Sequence, residues 1–258
     1  ESGVVDISAG RYNSVALLES GKVIAWGSNN YNQSVVPFEC NENIVSISAG
    51  DYHVLALTNV GKVIAWGWDV LGQSTVPSNA KSGVIKISAG LVHSIALLDN
   101  NEVIGWGSNS SDQIEIPIEA QSEVIDIATG YNHSLALLSN GSVIGWGQNT
   151  SGQIDIPIEC QSDVIMIAGG GYHSLALLNT GEVVGWGSNN DNQITIPEEA
   201  KSNIKYITAG DYQSFAITND GDLISWGKND YNQTSIPLEH QTNVIKVSSG
   251  SRHTIIIK

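Results

Sequence analysis

The side chains best suited to chemistry recur at one interval. His53, His93, His133, His173 and His253 stand at multiples of 40 residues from one another, and Asn13 and Gln213 hold the same place in the two remaining units. A ring of imidazoles suggests zinc, which takes nitrogen ligands at about 2 Å from one centre. Successive repeats do not bring such side chains that close, and replacement by an amide suits a hydrogen bond to backbone better than a metal bond. A structural role and no metal site are expected. His240 lies off the pattern, with no evident partner. Cys40 and Cys160 are equivalent positions three units apart. A disulfide needs Cα atoms within about 7 Å, so free thiols in small, partly buried positions are expected. No Ser/His/Asp set, no phosphate-binding glycine loop before a helix and no metal-spaced cluster can be found, and the carboxylates are spread by the repeat itself. These patterns imply no catalytic residue, no cofactor and no enzyme.

Charge narrows the partner. The chain of 258 residues carries 26 acidic and 11 basic side chains, a net charge of −15. Phosphate backbones demand clustered Lys and Arg, so direct nucleic-acid binding is not expected. An anionic membrane surface is disfavoured for the same reason, and no apolar run reaches the length of a spanning helix. A 41% hydrophobic content argues for a packed core rather than disorder. The only methionine is Met166, so residue 1 is not read as a translation start. Two cysteines are too few for a disulfide framework. Triplets such as Asn132-His133-Ser134 are weak signals of glycosylation in an Asn/Ser-rich chain.

The elements that position these residues follow from the repeat. Gly10, Gly50, Gly90, Gly130, Gly170, Gly210 and Gly250 are spaced by 40, as are the Trp-Gly pairs from Trp26 to Trp226. Gln33 and its equivalents follow each Trp by seven residues, and all six prolines follow those glutamines by four. VVDISAG and SVALL alternate with a period of two, and KVIAWG is rich in β-branched residues. ESGK, NVGK, DNNE and their counterparts read as tight hairpin turns. The glycine ending the first run is expected to let the chain turn sharply. Each unit is therefore a three-stranded antiparallel meander, to which Q-I-x-I-P adds a possible short fourth strand. Such a unit cannot bury both faces alone, so the units stack radially. The expected fold is all-β: one domain over residues 1–258, a seven-bladed β-propeller of three-stranded blades. Six repeats and a partial seventh, about 244–258, supply twenty strands of the twenty-one required. The absent KVIAWG-type strand is expected upstream of Glu1, and an edge left unpaired would invite another chain. Otherwise a monomer is expected.

ISAGDYHVLAL (Ile47 to Leu57), ISAGLVHSIAL (Ile87 to Leu97), IATGYNHSLAL (Ile127 to Leu137), IAGGGYHSLAL (Ile167 to Leu177) and VSSGSRHTIII (Val247 to Ile257) resemble the signature of the regulator of chromosome condensation repeat family. The compact unit with W-G-x-N-x-x-x-Q-x-x-x-P more closely resembles β-lactamase inhibitory protein II, a seven-bladed relative with three-stranded blades. The resemblance implies a propeller that binds other proteins. Nucleotide exchange on a small GTPase, an activity of the founding member, is implied weakly, since neither its inserted wedge nor its basic segments occur here.

Alternating strand direction assigns the loops to faces. The loop after the first strand and the loop after Trp-Gly share one face. It collects Tyr12, Tyr52, Tyr131, Tyr172, Tyr212 and Arg252 from the first set, and Tyr31, Trp68, Asp69, Leu71 and Tyr231 from the second. The hairpin turns and the Pro-x-Glu segments share the other face, which reads as acidic. Tyr and Trp on short loops offer contact area at small entropy cost. Trp68 is the sharpest case, the only Trp outside the repeated position. The expected function is a non-enzymatic module docking a folded protein through this aromatic face. The alternative is a lectin-like propeller with the W-G-x-N loops as equivalent sugar sites.

Overall fold

The computed structural model describes residues 3–258. In the first unit Val4–Ala9, Asn13–Leu18 and Val23–Gly27 form an antiparallel meander, the inner, middle and outer strands of blade 1. The same three-stranded sheet recurs in blades 2 to 6, and blade 7 has two strands, Lys246–Ser249 and Thr254–Ile257. Inner strands lie beside one another in order, with blade 7 against blade 1, so the seven sheets close a ring around a central channel. Among the described residues no helix is long and apolar enough to cross a membrane.

Burial follows the two periodicities. Middle strands have blades on both sides and are buried along nearly their whole length, as in His93–Leu98. Five of the six outer-strand Trp residues wedge between blades, Trp26 being 45% exposed: Trp106 packs with Leu55, Leu57, Val63, Ala80, Val84 and Ala96 from its own and the preceding blade. Removing one such side chain from water contributes roughly 2–3 kcal/mol. Each inner strand in blades 1 to 6 is bulged at its start, between Val4 and Asp6 in blade 1 and between Val84 and Lys86 in blade 3.

Three expectations change. The Q-I-x-I-P segments add no strand; they form turns and then a 3-10 turn after the proline, such as Ile118–Ala120. Proline holds an extended ψ there, and the last residue of the turn points into the blade junction. That place holds Cys40, Ala80, Ala120, Cys160 and Ala200, all 0% exposed. The cysteines are therefore fully rather than partly buried, and burial pushes both thiols up to about 12. Second, the repeated glycine stands in the tight turn between the first two strands, where Gly50 N–H donates to the His53 carbonyl at 2.9 Å, but what requires glycine is a close approach. A Cβ on Gly50 would collide with the carbonyl of Gly90 in the next blade and with the ring of His53. Third, the face opposite the aromatic loops is not only acidic, since Val5, Val45, Ile85, Ile125, Ile165 and Ile245 are each 46–66% exposed at the starts of the inner strands.

The seam between last and first blade carries a bond that also joins blades 1 and 2 and blades 2 and 3. Ala49 N–H donates to Ser8 Oγ and Ala89 N–H to Ser48 Oγ, and at the seam Ala9 N–H donates to Ser248 Oγ. Lys246 also pairs with Asp6 across it.

Candidate functional site

The five histidines form no site. His53, His93, His133 and His173 are 0% exposed, and each places Nε2 at 2.9–3.0 Å from a serine hydroxyl of the next blade, Ser94, Ser134, Ser174 and Ser214. Those serines donate onward to the carbonyls of Gln73, Gln113, Gln153 and Gln193. The partner is thus a side-chain hydroxyl, not the backbone. His253 closes the series onto Ser14 at 2.8 Å. Burial lowers the imidazoles to about 4 in His53 and His133 and about 3 in His93 and His173, so they are neutral. Among the described residues no three His, Cys, Asp or Glu side chains converge.

The aromatic residues do converge. Tyr31, Tyr52 and Trp68 come from three loops of blades 1 and 2, and their ring centroids are 5.5, 5.6 and 5.6 Å apart. The geometry is built by the loops themselves. Trp68 N–H donates to the Tyr52 carbonyl at 2.9 Å, Leu71 N–H to Gln73 Oε1 at 3.0 Å, and Asp69 accepts from Ser74 N–H and Thr75 Oγ1 at 2.7 Å each. Both Asp69 oxygens are therefore occupied in bracing the loop, the task Asn29, Asn109, Asn149, Asn189 and Asn229 perform in the other units. Val70 and Leu71 stand out from the same tip, 75% and 46% exposed.

Tyr131, Tyr172 and Tyr212 form a second triad across blades 4 to 6, with centroids 5.2–6.3 Å apart. Lys228 Nζ lies 5.0 Å from the Tyr212 ring. Between the triads, Arg252 sits 4.3 Å from the Tyr231 ring and 5.7 Å from the Tyr12 ring, with Arg11 5.4 Å from Tyr12. Cations at such distances over aromatic faces contribute about 0.5–1 kcal/mol at exposed sites. The rings form a crescent running from blade 4 through blade 7 to blade 2. Blade 3 interrupts it, because Leu91 and Val92 replace the tyrosine there and Val92 is buried.

One member is misplaced by sequence reasoning. Tyr131 is 6% exposed and presents no surface. Its hydroxyl donates to Asp211 Oδ2, 2.5 Å away in blade 6. It reaches over blade 5 because residue 171 is glycine; a Cβ there would lie 2.5 Å from the Asp211 carbonyl and 3.1 Å from the Tyr131 ring. With Asp51 and Leu91 these groups line a small cavity of about 80 Å³ at the channel mouth. Arg11 pairs with Asp51 at 3.3 Å. Burial, and then the charge of Asp211, hold the Asp51 carboxyl well above the usual range against the opposing pull of Arg11. Burial raises Asp211 too, opposed by the hydrogen bonds from Tyr131 and Ser251. The position after each ring glycine carried the signal: it reads Arg11, Asp51, Leu91, Tyr131, Gly171, Asp211 and Ser251, with only the two aspartates alike.

Residues 4–33, 44–73, 84–113, 124–153, 164–193 and 204–233 each match the model of the regulator of chromosome condensation (RCC1) repeat. The chain belongs to the RCC1 repeat family. No curated protein matches it. Among solved structures, this RCC1-repeat propeller superposes on Prp20p from Saccharomyces cerevisiae with a TM-score of 0.79 at 21% identity, covering 98% of this chain and 82% of that one. Human WBSCR16 gives 0.79 at 19% identity, covering 99% and 87%. The CRINKLY ectodomain of the Arabidopsis thaliana receptor kinase ACR4 gives 0.74 at 21% identity, covering 96% and 90%. These likenesses establish the shared propeller fold. Within this RCC1-repeat ring, the recurring residues build the scaffold, and the aromatic crescent is assembled from positions where the units differ.

Proposed function

We propose that the protein is a non-catalytic binding module whose aromatic crescent docks one folded protein. The observation that carries the reading is the Tyr31–Tyr52–Trp68 triad with its exposed Val70–Leu71 tip. Three rings from three loops are packed on one another before any partner arrives, so little side-chain entropy remains to be lost on docking. Arg252 adds a cation beside the Tyr231 ring, which favours a partner group carrying a carboxylate or carbonyl there, whereas Arg11 is paired with Asp51 and Lys228 with Asp191 and Asp230. The yeast relative Prp20p is described for its binding to Gsp1p and histones, and has been crystallised bound to Kap60, which supports the class of function and not the identity of a partner. The histidines are neutral and bonded to serine hydroxyls, and the thiols are buried with raised pKa, which supports a non-catalytic reading.

Glycan binding at the W-G-x-N loops is less well supported. The loop asparagines brace their own turns, and the five tryptophans from Trp66 to Trp226 are only 4–8% exposed.

Affinity capture from source lysate tests the reading. Wild type is expected to retain a defined protein that the Trp68→Ala, Tyr52→Ala double variant releases, while Val60→Ser on the opposite face retains it. Equal capture by wild type and double variant would overturn the assignment.

A further inference from the structure

The seat two residues before each ring glycine changes in kind around the ring. It holds Ser8, Ser48, Ser88, Ala128, Ala168, Thr208 and Ser248, while the residue before it is Ile or Val in every unit. The constant residue packs between blades; the variable one faces the central channel. Each inner strand pairs on one side only, with its middle strand, so its free edge and these side chains line the axis. Together they enclose a chamber of about 410 Å³, within the size range of small-molecule sites. The residue before each ring glycine, from Ala9 to Ser249, lines both this chamber and the cavity of about 80 Å³ at the channel mouth. Tyr131, reaching Asp211 over Gly171, narrows that end. The chamber is therefore a well that opens on the face opposite the aromatic crescent.

Its wall has two chemistries. Ser248, Ser8 and Ser48, in blades 7, 1 and 2, accept the N–H of Ala9, Ala49 and Ala89 of the following blade at 2.9–3.0 Å. A hydroxyl engaged in this way still has its own proton to donate, so one arc of the wall offers three donors side by side. Across the lumen, Ala128, Ala168 and Met166 of blades 4 and 5 present methyl and thioether groups. Charge is already matched. Among the described residues the charged side chains lining the chamber are Asp126 and Lys246, paired with Lys86 at 2.7 Å and with Asp6. Burial raises Tyr206, at the same level, to about 12, so its phenol is neutral.

We propose that this chamber binds one molecule of a neutral cyclic polyol, a hexose or cyclitol. Its hydroxyls accept from Ser248, Ser8 and Ser48 and donate to carbonyls on the free edges of the inner strands, while its C–H face lies on Ala128 and Ala168. A charged ligand would have to break an existing ion pair to find a counter-ion. A wholly apolar one would leave the three serine protons without acceptors. The site is separate from the crescent and does not rest on it.

Met166 makes the test specific, because it is the only methionine of the chain and lines the chamber. Isotopic labelling of the methionine methyl gives one NMR resonance, followed while D-glucose, D-galactose or myo-inositol is titrated into the intact chain to high millimolar concentration. A saturable one-to-one shift is expected with at least one of the three. A Ser8→Ala, Ser48→Ala chain should bind about tenfold more weakly, as expected for loss of two hydrogen bonds. A circular dichroism melt verifies that this chain folds. A Ser8→Thr, Ser48→Thr chain keeps both hydroxyls, as Thr208 does in the same seat, and should bind as wild type does. No saturable shift of wild type with any of the three compounds overturns the proposal and leaves a channel filled by water alone. Undiminished binding by the folded alanine chain overturns it as well.

Discussion

Each buried imidazole is a liability in acid. Burial lowers His53, His93, His133 and His173 to about 3–4 while an unfolded chain titrates near 6.5. The neutral form is the one the fold holds, so their contribution is fully present above the unfolded value and is lost as pH falls toward the folded values. At pH 5 each costs about 2 kcal/mol relative to neutral pH by linkage. Chemical denaturation between pH 7 and 5 is expected to show a steep loss of stability, and His133→Gln should flatten it, since Gln213 already fills the equivalent place. A variant curve parallel to that of the wild type would show that the imidazoles are not the cause. At the same scale, Asp69 and Tyr131 show how a residue suited to recognition can be taken up by structure. Asp69 braces its own loop, and Tyr131 closes the channel mouth through Asp211.

At the scale of the strand and its loop, the blade junction is a relay. Ser134 Oγ lies 3.0 Å from both His93 Nε2 and the Gln113 carbonyl, all of them buried. Ser134→Ala leaves two buried polar groups without this partner and should cost about 1–3 kcal/mol, read as a lowered urea midpoint at unchanged slope. An unchanged midpoint would show that the relay is not needed. The relay also accounts for an uneven legibility of the elements. The strands could be read because alternation states which side is buried. The 3-10 turns could not, because the I-x-I of Q-I-x-I-P alternates as a strand does; in the fold this segment packs beside the outer strand, as Ile114 does at Gly105, without pairing with it.

For the whole molecule, the ring glycines set how closely blades approach the axis. A Cβ on Gly50 would strike the backbone of Gly90, which can move only if neighbouring blades move with it. Gly50→Ala is expected to cost about 3 kcal/mol or more, a fall of roughly 6–12 °C in melting temperature for a chain of this size. Gly72→Ala is the control: open space surrounds its Cβ and only a φ of 82° opposes it, so about 1 kcal/mol or slightly more is expected. Equal losses at the two sites would refute the close-approach explanation.

The amino-acid order alone determined the strands, their meander, the number of blades and the shared face of the two loop sets, because each follows from a short period repeated along the chain. It also placed Trp68, Tyr52 and Tyr31 on that face. Only the closed ring decided which aromatics are presented and which are enclosed. Tyr131 and Asp211 lie 80 residues apart in sequence and meet because their blades curve toward a common axis, with Gly171 leaving room between them. The repeat count shows the seventh unit to be short of a Trp-Gly strand, but not that Trp26, 45% exposed, and Gln233, whose carbonyl accepts from Thr254 and, among the described residues, from no indole, flank it. They become a pair only when first and last blades are brought together, since a junction in a ring belongs to two units far apart in sequence.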